Sequence, residues 1–296
     1  MSFYIVGGVK LNSTLIPYSN VSIAPELQKV LMNSDARAGQ SFTGVNTAGP
    51  MIRITTPALA AVLDITGLAG AVLTAFEVYL IKHDAAAVAS GSAHRKWTMT
   101  AGLARIESIT TSNGVAELVV EVHGVYDGTN AVWVLTDSVA IPTQDTVSDV
   151  WYQGPLYIGT TEYKVEQSSF NPGAEIIKRH SNGHVGPNFV GLRPIKPTLS
   201  VQSADGIMHG ASGAFGANVA DVLMYYRKGA EGSGLRVSDA TETHISLTIP
   251  SAFMTPENVD GSPGQEVGFG VMFDLRDDGS NAVITLDTTA AIEAPV

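Results

Sequence analysis

The 296-residue chain contains no cysteine. Disulfides, thiolate-held metals and a cysteine nucleophile are therefore excluded, and nothing calls for an oxidising compartment. Aromatic residues make up only 7% of the chain and fall mostly inside strand-like segments. That leaves few rings for an exposed sugar-binding face. Cations are also scarce: 17 Lys and Arg stand against 28 Asp and Glu, a formal net charge of −11, and both halves are acidic. This balance argues against nucleic-acid binding as the main task, because such affinity rests largely on Lys and Arg contacts to phosphate. Long apolar runs are missing too. The richest stretch, Pro57 to Ile81, is broken by Asp64, Thr66, Gly67, Gly70 and Glu77. A membrane span needs ~20 nearly uninterrupted apolar residues, so this stretch reads as a buried helix followed by a strand. Met1–Val6 lacks the basic start and apolar core of a secretory leader.

What is present is repetition. Asp127-Gly128-Thr129-Asn130-Ala131-Val132-Trp133-Val134-Leu135 is matched by Asp278-Gly279-Ser280-Asn281-Ala282-Val283-Ile284-Thr285-Leu286. Phe42-Thr43-Gly44-Val45, then Pro50, is matched by Phe189-Val190-Gly191-Leu192, then Pro197. Phe3-Tyr4-Ile5 is matched by Leu156-Tyr157-Ile158. The matches keep one order and a nearly constant spacing, which is the mark of an internal duplication. They divide the chain into a unit at residues 1–142, a polar connection at 143–154 and a second unit at 155–296.

Each unit reads as mainly β. The first opens with strands at Phe3–Leu11 and Ser19–Ile23, then a long polar loop over Glu26–Ala48. The strand Met51-Ile52-Arg53-Ile54-Thr55 alternates apolar and polar as a half-buried strand should. Thr56-Pro57 reads as a helix start, with a helix over Ala58–Ile65 ended by Gly67. Strands at Thr74–Lys82, Ala101–Thr110 and Ala116–Tyr126 follow. Asp127-Gly128 is a hairpin signal leading into Ala131–Thr136. The second unit repeats the order, with strands at Leu156–Val165, Ala174–Ile177, Thr198–Gln202, Ala220–Arg227, Glu242–Ile249, Glu266–Asp274 and Ala282–Leu286, and a loop over Lys178–Ile195. The expected architecture is two tandem β-sandwich or barrel domains, each with one flanking helix.

Motifs for chemistry are sparse. His180 and His184 have the spacing of a helical metal pair, but Ser181-Asn182-Gly183 between them makes a turn and no third ligand is near. Glu121-Val122-His123 puts an acid and a base on one strand face; its counterparts in the second unit are Met272 and Asp274, so a solvated face is the simpler reading. There is no Gly-x-Ser-x-Gly elbow. Ser90-Gly91-Ser92 and Gly232-Ser233-Gly234 lack the ending of a phosphate loop. No catalytic residue, cofactor site or metal site is assigned. The densest positive cluster is Lys178-Arg179-His180 with His184, Arg193 and Lys196.

The order of short strands, long polar loop, strand, helix and further strands resembles the tail tube protein of long-tailed, non-contractile phages. Met51-Ile52-Arg53-Ile54-Thr55-Thr56-Pro57-Ala58-Leu59 looks like that family's strand-to-helix passage, and the tandem form looks like its fused, two-domain members. The resemblance implies a non-enzymatic virion protein, made in the host bacterial cytoplasm and placed in the tail. It implies six domains per ring, hence homotrimers, with strands joined into one inner barrel that conducts viral DNA without binding it. Other tail proteins would be its neighbours, and no membrane is involved. The long loops would meet the adjacent ring, through Glu26, Lys29, Asp35 and Arg37 in the first unit and Lys178, Arg179 and Arg193 in the second. The alternatives are another virion barrel (tail terminator, baseplate hub or decoration protein), a two-domain carbohydrate-binding module, or an enzyme of unrecognised type.

Overall fold

The computed structural model describes residues 4–32, 42–82, 94–112, 114–143, 149–181, 183–203, 206–213, 215–229, 236–260 and 268–295. The fold is mainly β, as expected. The first half runs β1 (Tyr4–Leu11), β2 (Thr14–Leu15), β3 (Asn20–Ala24), β4 (Leu27–Met32), β5 (Phe42–Ala48), β6 (Met51–Thr56), α1 (Leu59–Thr66), β7 (Ala71–Leu73), β8 (Phe76–Lys82), β9 (His94–Met99), β10 (Gly102–Ser112), β11 (Val115–Gly124) and β12 (Val134–Val139). The second runs β13 (Trp151–Ile158), β14 (Thr161–Tyr163), β15 (Gln167–Asn171), β16 (Ala174–Arg179), β17 (Phe189–Pro194), β18 (Thr198–Ser203), α2 (Gly206–Ser212), β19 (Ala217–Lys228), β20 (His244–Asp260), β21 (Gly268–Leu275) and β22 (Thr285–Ala290).

The same pairing order recurs in both halves. One sheet of the first half is ordered β12-β9-β8-β1-β2, and β22, β20, β19, β13 and β14 pair in that order in the second. The other sheet is ordered β3-β6-β11-β10, matched by β15-β18-β21-β20. The halves differ where Thr100 and Ala101 interrupt β9 and β10, whereas β20 runs unbroken and serves both sheets. Buried histidines mark the correspondence: His94 Nδ1 accepts the amide of Lys82 at 3.2 Å, and His244 Nδ1 accepts that of Lys228 at 3.0 Å.

The helices close one face of the sheet. Leu59, Val62, Leu63 and Thr66 of α1 are buried, and Met208 and Ser212 of α2 likewise. Thr56 sits before the helix rather than capping it. Its hydroxyl accepts the Ala58 amide at 3.0 Å and donates to Pro17 O at 2.6 Å. Gly67, with φ 56°, donates its amide to Leu63 O and ends α1. The buried apolar side chains form one contiguous cluster through both halves, including Ile52, Ile54, Leu118 and Val120 of the first and Leu199, Val201, Val271 and Phe273 of the second.

Several segment readings are corrected. The two long loops contain antiparallel β-hairpins, β4–β5 and β16–β17; residues 33–41 lie outside the described part. The pattern misled because neither arm alternates apolar and polar residues, and each pairs as a separate two-stranded sheet rather than joining the large ones. The second-unit counterpart of β3 is β15, not Ala174–Ile177, which belongs to the arm. β9 had no expected counterpart. Asp127-Gly128 is not a two-residue hairpin turn: the Asp127 carboxylate binds the amides of Thr129 and Asn130 at 2.8 and 2.7 Å, and β12 pairs with β9 instead of β11. Residues 151–154, read as part of the connection, are the start of β13, with Trp151 buried.

Candidate functional site

The sheet β3-β6-β11-β10 has one face under α1 and one face open. Strand alternation fixes which residues stand on each. Along β6, Ile52 and Ile54 are buried while Arg53 is exposed. The open face carries Asn20 and Ser22, Arg53 and Thr55, Glu117 and Glu121, and Arg105, Glu107 and Thr110, while His123, Leu103 and Val119 on the same side are buried. It continues in the second half as Gln167 and Ser169, Ser200 and Gln202, Met272 and Asp274, and Thr255 and Glu257. The carboxylates of Glu107, Glu117, Glu121, Glu257 and Asp274 outnumber the guanidinium groups of Arg53 and Arg105 on this face.

Both of those cations are engaged. Arg53 meets Glu107 at 2.6 Å, and Arg105 meets Glu121 at 2.7 Å. Glu121 also faces His123 Nε2 at 3.4 Å. The His123 contact, together with Arg105, holds the Glu121 carboxyl far below its ordinary range, at about 2. Ser200 donates to Glu257 at 2.9 Å, and Lys196 meets Asp274 at 2.8 Å. The acid and base of Glu121 and His123 are thus part of an ion-pair row on a strand face. Among the described residues, no group of three or more His, Asp or Glu side chains could hold a metal ion.

The two halves meet by continuing the sheet. β10 pairs with β15 in the register Ile109 to Phe170, Thr110 to Ser169 and Thr111 to Ser168. β11 pairs with β13 at Val115 to Tyr152 and Ala116 to Trp151. A buried polar cluster pins this seam. Thr111 Oγ1 donates to Gln153 Oε1 at 3.0 Å and accepts the Ser168 amide at 2.6 Å; Ser168 Oγ donates to Gln153 Oε1 at 2.7 Å. Arg105, from the open face, donates to Ala174 O, and on the helix side Thr288 Oγ1 donates to Asp64 Oδ1 at 2.9 Å.

The basic cluster is divided by the structure. Lys178, near the far end of β16, forms an ion pair with Glu26 at the root of the first arm and also donates to Gly49 O at 3.2 Å. Arg193 pairs with Glu175 across its own arm. Arg179 lies over the Phe189 ring, 5.7 Å from its centroid. His184 stacks on Tyr126 at 4.3 Å, so the second arm lies against the first half. Asp35 and Arg37 lie outside the described residues, as does the side chain of Lys29. Two features escaped the sequence reading. One is an apolar cavity of ≈ 550 Å³ lined by Pro25, Leu27, Trp97, Tyr126, Val132 and Trp133, among others. The other is Phe215, just beyond α2 and 95% exposed. Among the described residues no helix is long and apolar enough to cross a membrane. No protein-family model matches the chain, and no curated protein sequence matches it.

Proposed function

We propose that this chain is the ring-forming subunit of a virion tube that conducts DNA, in the manner of the phage tail tube proteins it resembles. The observation that carries this reading is the seam. The first half hands its sheet to the second through β10 and β15, and among the described residues two matching edges lack a neighbour, β3 at one end and, beyond its pairing with β19, the last residues of β20 at the other. Val21, Ser22 and Ile23 correspond to Ser168, Ser169 and Phe170. Val259 and Asp260 correspond to Ile109 and Thr110. Repeating the internal register between chains pairs Val259 with Ile23 and Asp260 with Ser22 of the next copy. Unpaired strand edges are hazardous when left open, and closure removes them. Such a contact is head-to-tail, so it produces a ring wherever the rotation closes. Three chains supply the six units that the resemblance implies.

The open face then lines the bore. Its cations are already engaged by carboxylates, and its remaining charge is acidic, so phosphate meets a repelling wall. Suppose instead that each ring held the duplex by ~1 kcal/mol, the size of a good surface ion pair. Dozens of stacked rings would then total tens of kcal/mol and arrest the cargo. The test is electron microscopy of concentrated protein, paired with a mobility-shift assay at low salt, where phosphate contacts are strongest. Rings or tubes that fail to retain duplex DNA are expected. A chain that stays monomeric at every concentration overturns the assembly, and tight salt-sensitive DNA binding overturns the passive bore.

A further inference from the structure

We propose that the Trp133-lined cavity on the first half receives Phe215 of a second copy of this chain. The inference deepens the ring reading: it takes from it the second copy and names the side chain that anchors it. The internal seam shows what a unit does to its neighbour.

At that seam, the turn after α1 meets the base of the second half. Leu68 and Ala69 face a cleft completed by Pro172, Ala174, Leu192, Pro194 and Ile284. The approach is close enough that a Cβ on Gly70 would stand 2.7 Å from Leu192 Cδ1. The turn after α2 has the same construction. Thr66 and Ser212 each turn a hydroxyl back toward a carbonyl of the preceding turn and toward the following glycine. Gly67 and Gly213 take φ 56° and 66°, and Gly70 and Gly216 take φ 80° and 87°. The residue just before Gly70 is Ala69, and the residue just before Gly216 is Phe215. Phe215 therefore occupies the position from which a unit touches the next one, and there it is exposed.

The receiving side corresponds in the same way. Pro172, Ala174 and Ile284 of the internal cleft are matched by Pro25, Leu27 and Trp133, through the paired strands and the Asp-Gly repeat. These three line the ≈ 550 Å³ cavity, which is larger than the ≈ 390 Å³ cleft at the seam. The exchange of sizes is complementary: alanine enters the smaller space, and phenylalanine is available for the larger one. Exposure agrees. Ala174 is 8% exposed at the seam, while its counterpart Leu27 is 46% exposed and Val45, the counterpart of Leu192, 47%. Trp97 and Trp133 pack at 4.5 Å in the cavity wall, offering the ring edges and faces that a third aromatic ring favours. A small-molecule site needs a few convergent polar groups to orient its ligand. Among the described residues lining the cavity, His184 is the only ionisable side chain apart from the Tyr126 phenol, and it is stacked on that ring.

The test places a photoreactive p-benzoylphenylalanine at position 215 in full-length protein and irradiates a mixture of light and heavy isotope-labelled chains. Mixed-isotope crosslinks to the peptides containing Pro25–Leu27 or Ala131–Trp133 are expected. In parallel, Phe215→Ala should weaken self-association by about 30-fold or more, the loss seen when a central aromatic anchor is truncated. The ring is solvent-exposed in the single chain, so this substitution leaves the fold intact. Leu27→Asp at the cavity rim should match it from the other side. Wild-type rings or tubes whose crosslinks map elsewhere, or whose assembly is unchanged in Phe215→Ala, overturn this inference and leave the ring reading standing. A wild-type chain that never associates overturns both.

Discussion

Replacing Thr111 with valine tests how the two halves are coupled. The substitution keeps the shape and the β-branched fit to a strand, and removes only the hydroxyl. Thr111, Ser168 and Gln153 are all buried. Without the hydroxyl, the Ser168 amide loses the acceptor it holds at 2.6 Å, while Gln153 Oε1 keeps its bond from Ser168 at 2.7 Å. The dominant cost is therefore one buried donor left unsatisfied, about 2 kcal/mol. For a chain of this size that corresponds to a fall in Tm of about 3 °C, if the halves unfold together. Thr110→Val is the control: its side chain stands on the open face, so a change within about 0.5 kcal/mol is expected. Urea titration followed by tryptophan fluorescence reads both variants. Because the cluster spans the seam, Thr111→Val should also separate the unfolding of the two halves. A Thr111→Val protein as stable as the Thr110→Val control would refute the reasoning, showing that water or a local shift replaces the hydroxyl at no cost.

Glu121→Gln should destabilise the protein on the order of 2 kcal/mol at neutral pH. The folded carboxyl, held at about 2 by His123 and Arg105, lies below its ordinary value of 4.5. Its stabilisation is thus complete above pH 4.5 and fades as pH falls toward 2, so denaturation at pH 7 and pH 2.5 should show the gap between variant and wild type shrinking on acidification. Lys178→Glu should cost about 1 kcal/mol by breaking the bridge to Glu26, and the double exchange Glu26→Lys with Lys178→Glu should recover most of it; a double mutant no better than the single ones means the pair contributes nothing. Gly173→Ala should destabilise by roughly 3 kcal/mol or more, because φ is 76° and the added Cβ would strike Ile195 O. Gly159→Ala, at φ 57° but in open space, should cost only about 1–2 kcal/mol in the same thermal melt.

Much of the fold was legible because its signals are local. Met51–Thr55 alternates, so a strand with one buried face follows from period two alone. Leu59–Thr66 is apolar with glycine behind it, so a short helix with a defined end follows from capping. The repeated Asp-Gly-x-Asn segments at 127–130 and 278–281 are visible without any structure. The arms are not legible as strands because Leu27–Met32 and Ala174–Arg179 lack the apolar alternation that marks a half-buried strand. Of the candidate contact residues, Glu26 and Lys178 were singled out for their charge, but their partnership with each other joins positions far apart in sequence.

By itself, then, the sequence determined the β class, the strand-helix-strand order, the repeated segments and the acidity, each of which depends on neighbouring residues or on composition. Only the tertiary structure decided that β12 crosses to β9 rather than folding back on β11, that the halves share one sheet through β10 and β15, and that Phe215 and the Trp133 cavity occupy matching positions at its opposite ends. These depend on which edges and surfaces meet after long loops close. Strand register and exposure are properties of pairs of distant segments, and no local pattern encodes the partner.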